Sequence, residues 1–380
     1  MFPVIQNLND LLPHIQGNDN ISVNKKDDYI VVNYILNTPE MFNNAWEKEC
    51  RGIIFAQDDG RLLSRPLHKF FNLNERPETF MAGVDLSQEH NILEKLDGSM
   101  CRPFETGGKI RWGSKAGLTF VTDQVEEFVK EHSEYQDFAN FLVEGRFTGI
   151  FEWCSRKNRI VLDYPEDHLV LLAIRNNLNG GYISYEEMCG IVCKFWPSVD
   201  IVEALHGSVR NIQHLSDKVS VQVGIEGFVI SFQDGRKVKL KTEEYRLLHK
   251  SKESLCHEKN VIEILASDKA DDFRTLLTPF DREAFELFEK KFWVGFCYYL
   301  TDIQEIHEKK FNSRICTRKD LGLYGGLSQL QKMFLFKFFD KEVTAVDIQG
   351  EILEYIKKRC TSQSSVDQAR ETWGGIKWVY

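Results

Sequence analysis

The feature that most constrains this chain is a change of hydrophobic period near residue 246. Before it, apolar residues come in short runs bounded by Gly, Pro, Asn and Asp, the mark of strands. The candidates cover residues 28–35 (DYIVVNYI), 52–55, 108–113, 149–153, 159–163 (RIVLD), 168–174, 227–232 and 236–241. Two helices interrupt them: one follows Thr122, and one opens on a capping box of Ser184 and Glu187 and carries Met188, Ile191, Val192, Phe195 and Trp196 on one face. After the change, DREAFELFEKKFWVGFCYYL, LSQLQKMFLFKFFDKE and IQGEILEYIKKRC have helical spacing throughout. The pattern predicts an α+β chain, with an antiparallel-sheet domain over 1–245 and an all-helical domain over 246–380.

Charge and cysteine usage exclude several functions. The formal net charge is -9, so any nucleic-acid site must be a local cluster of cations rather than the whole surface. The nine cysteines form no CxxC pair, which argues against a zinc site or a disulfide framework and for reduced, cytoplasmic thiols. LVLLAI and FWVGFCYYL are the longest apolar runs and fall far short of a bilayer span of about 20 residues. The expectation is a cytoplasmic monomer with no membrane partner. No GxxxxGK[ST] loop occurs, which disfavours a fused kinase.

Chemistry enters at EKLDGSM, residues 94–100. By itself Asp97-Gly98 reads as a hairpin turn; Lys95 beside a glycine and a serine also has the makings of a nucleophile at a phosphate. A second constellation is EGFVISFQDGRKVKLK, residues 226–241. A two-residue loop at Asp234-Gly235 would set Ile230 against Lys239 and Phe228 against Lys241, with Glu226 on the lysines' face. Lys239 and Lys241 then either guard a strand edge or grip a phosphate chain whose metal Glu226 holds. Glu152, between apolar neighbours, needs a partner: Arg156, Arg159 or a ribose hydroxyl.

Taken in order, Arg51 in ECRGIIF, Lys69 and Phe71 in SRPLHKFFNLNERP, Lys95 in KLDGS, Ser114-Lys115, Glu152, Glu226 in IEGFV, and Lys239 and Lys241 in KLKTEEY form a series. That series resembles the covalent nucleotidyltransferase superfamily of ligases and capping enzymes, and within it the bacteriophage T4 RNA ligase 1 family. The likeness is strong over the first 245 residues and fainter beyond, through SDKADD and the lysines near 353–359; SKAG and FEWCSRK depart from the pattern.

The resemblance implies an ATP-dependent RNA ligase. Lys95 would take AMP as a phosphoramide, pass it to the 5′-phosphate of an RNA, and release it when a 3′-hydroxyl seals the ends, as in repair of a nicked tRNA. Gly98 would keep the turn close to the nucleotide. Tyr34, Arg51, Lys69, Phe71, Lys115, Lys239 and Lys241 match positions at ATP, Glu152 a ribose contact, and Glu226 and Tyr245 catalytic positions. Asp271 and Asp272 match an acidic pair for Mg2+, although two aspartates in a first helical turn also suit the helix dipole. A free lysine titrates at about 10.4, so attack requires burial or neighbouring cations to favour the amine. A DNA ligase or capping enzyme would share the lysines but would follow them with an OB-fold of five short strands, where this chain turns helical. A non-catalytic RNA-binding relative is the other alternative. The helical region would recognise RNA or serve as a packing module; Trp293, Tyr298, Tyr299 and Phe338 have core spacing.

Overall fold

Twelve strands form among the residues described by a computed structural model of the chain, 2–36, 41–205, 209–311 and 317–380, and all lie in the first of two units, Met1–Arg246 and Leu247–Tyr380. They are β1 (Ile21–Lys25), β2 (Tyr29–Tyr34), β3 (Arg51–Ala56), β4 (Leu62–Ser64), β5 (Phe71–Asn72), β6 (His90–Lys95), β7 (Ser99–Thr106), β8 (Lys109–Gly113), β9 (Phe147–Cys154), β10 (His168–Asn176), β11 (Gly227–Phe232) and β12 (Lys237–Lys241). Three four-stranded sheets result, in the orders β1-β2-β3-β4, β10-β9-β7-β8 and β5-β12-β11-β6. Every pairing is antiparallel except the short parallel contact of β12 with β5. The α+β expectation holds.

Helices cover one face of each sheet. Those of the first unit are α1 (Leu8–Ile15), α2 (Ala45–Glu49), α3 (Phe120–Glu131), α4 (Ser133–Glu144), α5 (Tyr185–Phe195) and α6 (Ile212–Ser220), and α7 (Glu243–Leu255) runs across the division of the chain. Val125, Phe138 and Val192, from α3, α4 and α5, pack on Phe151, Leu169 and Leu171 of the second sheet; Leu215 and Val219 of α6 pack on Phe228, Ile230 and Leu240 of the third. The opposite face of the third sheet, carrying Val229, Lys239 and Lys241, is left for the site.

One expected strand is absent. Residues 159–163 pair with no strand, because the backbone N–H groups of Val161 and Leu162 donate to the Asp97 carboxylate at 2.8 and 2.7 Å and so are lost to a ladder.

Among its described residues the second unit is wholly helical: α8 (Glu258–Ala266), α9 (Ala270–Thr275), α10 (Pro279–Phe311), α11 (Arg318–Leu323), α12 (Gln329–Phe338), α13 (Ala345–Arg359) and α14 (Gln363–Ala369). Along α10, Phe285, Phe288, Phe292, Phe296, Tyr299, Ile303 and Ile306 recur every three or four residues and are all buried. At Gly295 a Cβ would stand 2.3 Å from the Trp373 carbonyl, so glycine admits that backbone to the helix surface. No helix among the described residues is long and apolar enough to cross a membrane.

A buried ion triad ties the first unit together. Glu49, closing α2, bonds Arg65 at 3.0 Å and Arg175 of β10 at 2.8 Å, with all three side chains essentially inaccessible. Burial alone would raise the Glu49 pKa, but Arg175 and Arg65 outweigh it and hold the carboxyl below its ordinary value. A depressed carboxyl contributes stability that is present above its unfolded pKa and is lost as pH falls through the folded one. Glu49→Gln, which strands two buried guanidinium groups, is expected to cost about 3–5 kcal/mol in denaturant unfolding and to flatten the acid limb of the stability profile. An unchanged midpoint contradicts this.

Candidate active site

Lys95 ends β6 in the third sheet and Ser99 begins β7 in the second, so Leu96-Asp97-Gly98 is a crossing between sheets and not a hairpin turn. Asp97 pins this crossing. One oxygen accepts the two N–H groups of Val161 and Leu162, the other accepts the Tyr245 hydroxyl at 2.6 Å, and the Asp97 N–H donates to the Tyr164 hydroxyl at 3.0 Å. Gly98 lies flat against β9: a Cβ there would meet the Trp153 carbonyl oxygen at 2.3 Å.

The Lys95 side chain retains 21% of its exposure, and its amine donates to Glu226 at 2.6 Å. The other oxygen of Glu226 takes Lys241 at 2.9 Å, so one carboxylate spans two amines. The nearest charged neighbour of Lys95 is thus an acid, where the sequence suggested a field of cations. The register that produces this differs by one residue from the expected hairpin. Phe232 accepts from Gly235 and donates to Arg236, which makes a three-residue loop, and the rungs become Gly227 with Lys241 and Val229 with Lys239. Gly235, at φ +91°, supplies the left-handed residue such a loop needs. Regular alternation would turn Glu226 away from the lysines. The chain instead bends at Gly227, where φ is +143° and a Cβ would meet the Leu240 carbonyl oxygen at 2.0 Å, and Glu226 reaches both amines from the strand end. Because β12 lies between β5 and β11, its lysines are not edge guards.

A cavity of about 550 Å³ opens beside Lys95, lined by Tyr34, Arg51, Gly98, Lys115, Glu152 and Lys239 among others. Buried Arg102 draws its walls together: its guanidinium donates to the carbonyls of Gly52 and of Ser114, the latter at 2.9 Å. Gly52, at φ +90°, lets the Lys115 backbone approach to where a side chain would clash. The amines rest on aromatic faces, Lys115 3.4 Å from the Tyr34 ring centre, Lys239 4.6 Å from Phe70 and Lys69 5.0 Å from Phe71. Burial, then Arg51 and Lys69, pushes Lys115 down to about 8; burial and Arg51 push Lys69 down to about 8; and burial, then Arg51, Lys69, Lys95 and Lys241, drives Lys239 well below the usual lysine range. Arg51 keeps one buried terminal nitrogen without a hydrogen-bond partner among the described residues. Cations crowded on aromatic faces, with a buried donor unspent, form a site built for a polyanion.

Glu152 answers the question its segment raised. Arg156 is bound to Asp163 at 2.8 Å and Arg159 donates to the Val161 carbonyl, so neither pairs with Glu152. It accepts the Gly98 N–H at 3.2 Å instead, and burial raises its pKa to about 7, against lowering by Lys95 and Arg51.

Other predicted residues stand behind the cavity or away from it. Phe71 is buried against Phe42 and supports Lys69 rather than lining the cavity. Tyr245 acts on the crossing through Asp97; its hydroxyl is raised by burial first, with Glu226 and Asp97 adding, and so remains a donor. Asp271 and Asp272 open α9 in the second unit, where Asp271 pairs with Arg274 at 2.6 Å. No group of three or more His, Cys, Asp or Glu side chains placed to hold a metal ion occurs among the described residues. Of the second-unit aromatics, Tyr299 and Phe338 are buried, Trp293 is partly buried, and Tyr298 is 72% exposed. Sequence reasoning missed Asp97 and Arg102. The only advance sign of the first was its place next to Lys95, and nothing marked the second.

A family model described as RNA ligase matches residues 49–245. Among curated proteins, a putative RNA ligase of Thermovibrio ammonificans is 29% identical over 283 residues, 72% of each chain. RNA ligase 1 of bacteriophage TS2126 is 30% identical over 227 residues, 56% of this chain, which spans about half (54%) of that protein's length. Solved structures give looser likenesses: an archaeal ATP-dependent RNA ligase at TM-score 0.46 and 14% identity over 64% of each chain, and a mutant Naegleria gruberi RNA ligase with ATP and Mn at 0.37 and 16%, over 43% of this chain and 52% of that one.

Two substitutions probe the crossing. Gly98→Ala should keep the fold and its thermal midpoint within a few degrees while displacing Lys95, with a loss of Lys95 reactivity toward nucleotide of about 100-fold. Tyr245→Phe, which leaves a buried carboxylate oxygen short of a donor, should cost about 1–3 kcal/mol of stability. Full reactivity of Lys95 in Gly98→Ala would rule out the tight seat described for it.

Proposed function

This chain belongs to the RNA ligase family whose model spans residues 49–245, and we propose that it joins RNA ends at the expense of ATP through an AMP carried on Lys95. The observation that carries the reading is the shared carboxylate: Glu226 holds the Lys95 amine beside a cavity of about 550 Å³ that Arg51, Lys115 and Lys239 also line.

The attacking nitrogen needs its lone pair, so a proton leaves Lys95 before its bond to the α-phosphorus forms and the bond to pyrophosphate breaks. Glu226, 2.6 Å away, is the acceptor in place. Arg51, Lys69, Lys115 and Lys239 bind the phosphates and stabilise charge gathering on their oxygens. A magnesium ion accompanying ATP would supply Lewis-acid polarisation of the phosphates. Glu152, beside Gly98, orients the ribose. A 5′-phosphate of RNA then takes the adenylyl group, returning the proton to Lys95, and a 3′-hydroxyl displaces AMP to close the phosphodiester. Nicked tRNA is a natural substrate class for such a joining reaction, and the helical second unit, with Tyr298 exposed, is the part available to recognise it. The same unit speaks against a DNA ligase or capping enzyme, since it holds no strand among its described residues with which to build an OB-fold.

Incubation with labelled ATP should give protein-bound AMP that is discharged by RNA carrying a 5′-phosphate, and Lys95→Ala should give none. An adduct in that variant, or an adduct indifferent to RNA, defeats the reading. Lys69 and Lys115, each near 8, lose their protons as pH rises past that value, so KM for ATP should climb above about pH 8. A KM flat to pH about 9 contradicts their role.

A further inference from the structure

With a net charge of -9, this chain can meet a nucleic acid only through a local cluster of cations, and one such cluster lies outside the cavity. Residues 155–159 read SRKNR, with cations at 156, 157 and 159, and none of the five lines the cavity. A charged run of this kind is usually a solvated turn. This one differs in its place, its fixity and its unspent charge.

The Asn158 side-chain amide donates to Ser99 Oγ at 2.8 Å, and Ser99 lines the cavity where the Lys95 crossing enters β7. The loop is held elsewhere too. Ser155 Oγ accepts the Lys157 N–H at 3.1 Å and opens a short turn over Arg156–Asn158, while Arg156 donates to both Asp163 oxygens at 2.8 and 2.9 Å. Just beyond, Asp97 of the crossing holds the backbone at Val161 and Leu162. Asp163 offsets the charge of Arg156, but Lys157 is exposed, and Arg159, partly exposed, spends only its Nε, on the Val161 carbonyl at 3.0 Å. Neither Lys157 nor Arg159 has an ion-pair partner among the described residues. Two free cations on a backbone tied to the crossing at Ser99 and at Asp97 are preorganised for an anion that runs past the cavity rim.

We infer that Lys157 and Arg159 bind the phosphate backbone of the RNA strand whose 5′-end receives the adenylyl group, at the nucleotides just behind that end. This assignment rests on the ligase reading and adds to it the surface that docks the donor strand. That strand must bring its 5′-phosphate to Lys95 while the rest of its chain runs out over the rim, where phosphate oxygens accept charge-assisted bonds from the two cations. Such contacts position a strand without reading its bases. Lys157 falls in FEWCSRK, where the chain departs from the family pattern, so its half of the contact is this chain's own.

In the test, Lys95 is charged with AMP, and its discharge by a 5′-phosphorylated single-stranded RNA is followed over a range of salt concentrations. The unmodified protein is compared with Lys157→Gln, Arg159→Gln and Lys194→Gln; Lys194, exposed on α5, lies outside both the loop and the cavity lining. Each loop variant should raise KM for the RNA about tenfold and reduce the slope of log kcat/KM against log salt by about 0.7, with Lys157→Arg recovering most of the loss. Lys194→Gln should do neither, and in the loop variants the loss in discharge should exceed any loss in charging by ATP at least about fivefold. An unaltered KM and salt slope in Lys157→Gln overturns the assignment. So does an equal effect of Lys194→Gln, an equal loss in charging, or a loss confined to the strand that brings the 3′-hydroxyl. Each of these leaves the ligase reading standing, whereas failure of the unmodified protein to charge with ATP, or of RNA to discharge it, defeats both.

Discussion

One carboxylate organises this protein. Glu226 bonds a different lysine with each oxygen, and the two lysines come from strands on opposite sides of its own. With only 3% of Glu226 exposed, neither bond is diluted by water as a surface pair would be. The arrangement fixes the position of the Lys95 amine, and the backbone bend at Gly227 exists to make it possible. Around that point the other cations need only be held near, which aromatic faces do without neutralising them.

A second layer of buried polar bonds keeps the first in register. Asp97 joins the Lys95 crossing to residues 161, 162, 164 and 245, and Arg102 joins β3 to the Lys115 loop. Neither side chain lines the cavity; both tie its walls together, which positioning requires. Gly98 and Gly52 serve the same end by letting backbones pack where a methyl group would not fit.

How much of this was legible in the sequence depends on whether the signal was local. The division near 246 and the helical stripe from Phe285 to Ile306 could be read because period is a local property. Lys95, Arg51, Lys115, Glu152 and Lys239 stand out by motif order and do meet at one cavity. The hairpin register is off by one residue because loop length decides it, and Gln233-Asp234-Gly235 closes as three residues, not two. Residues 159–163 mislead because their apolar pattern mimics a strand while their N–H groups serve a side chain more than 60 positions away. Arg102 and the triad of Glu49, Arg65 and Arg175 are invisible for the same reason, since buried polar bonds between distant segments leave no periodic trace.

The proposed reaction depends on Glu226 holding the Lys95 amine where a nucleotide can meet it. The most direct measurement is the single-turnover rate at which Lys95 acquires AMP in Glu226→Ala, with folding checked by circular dichroism. The expected rate is lower by about 100-fold or more in a protein that remains folded. A folded variant that acquires AMP at the unmodified rate would contradict that dependence.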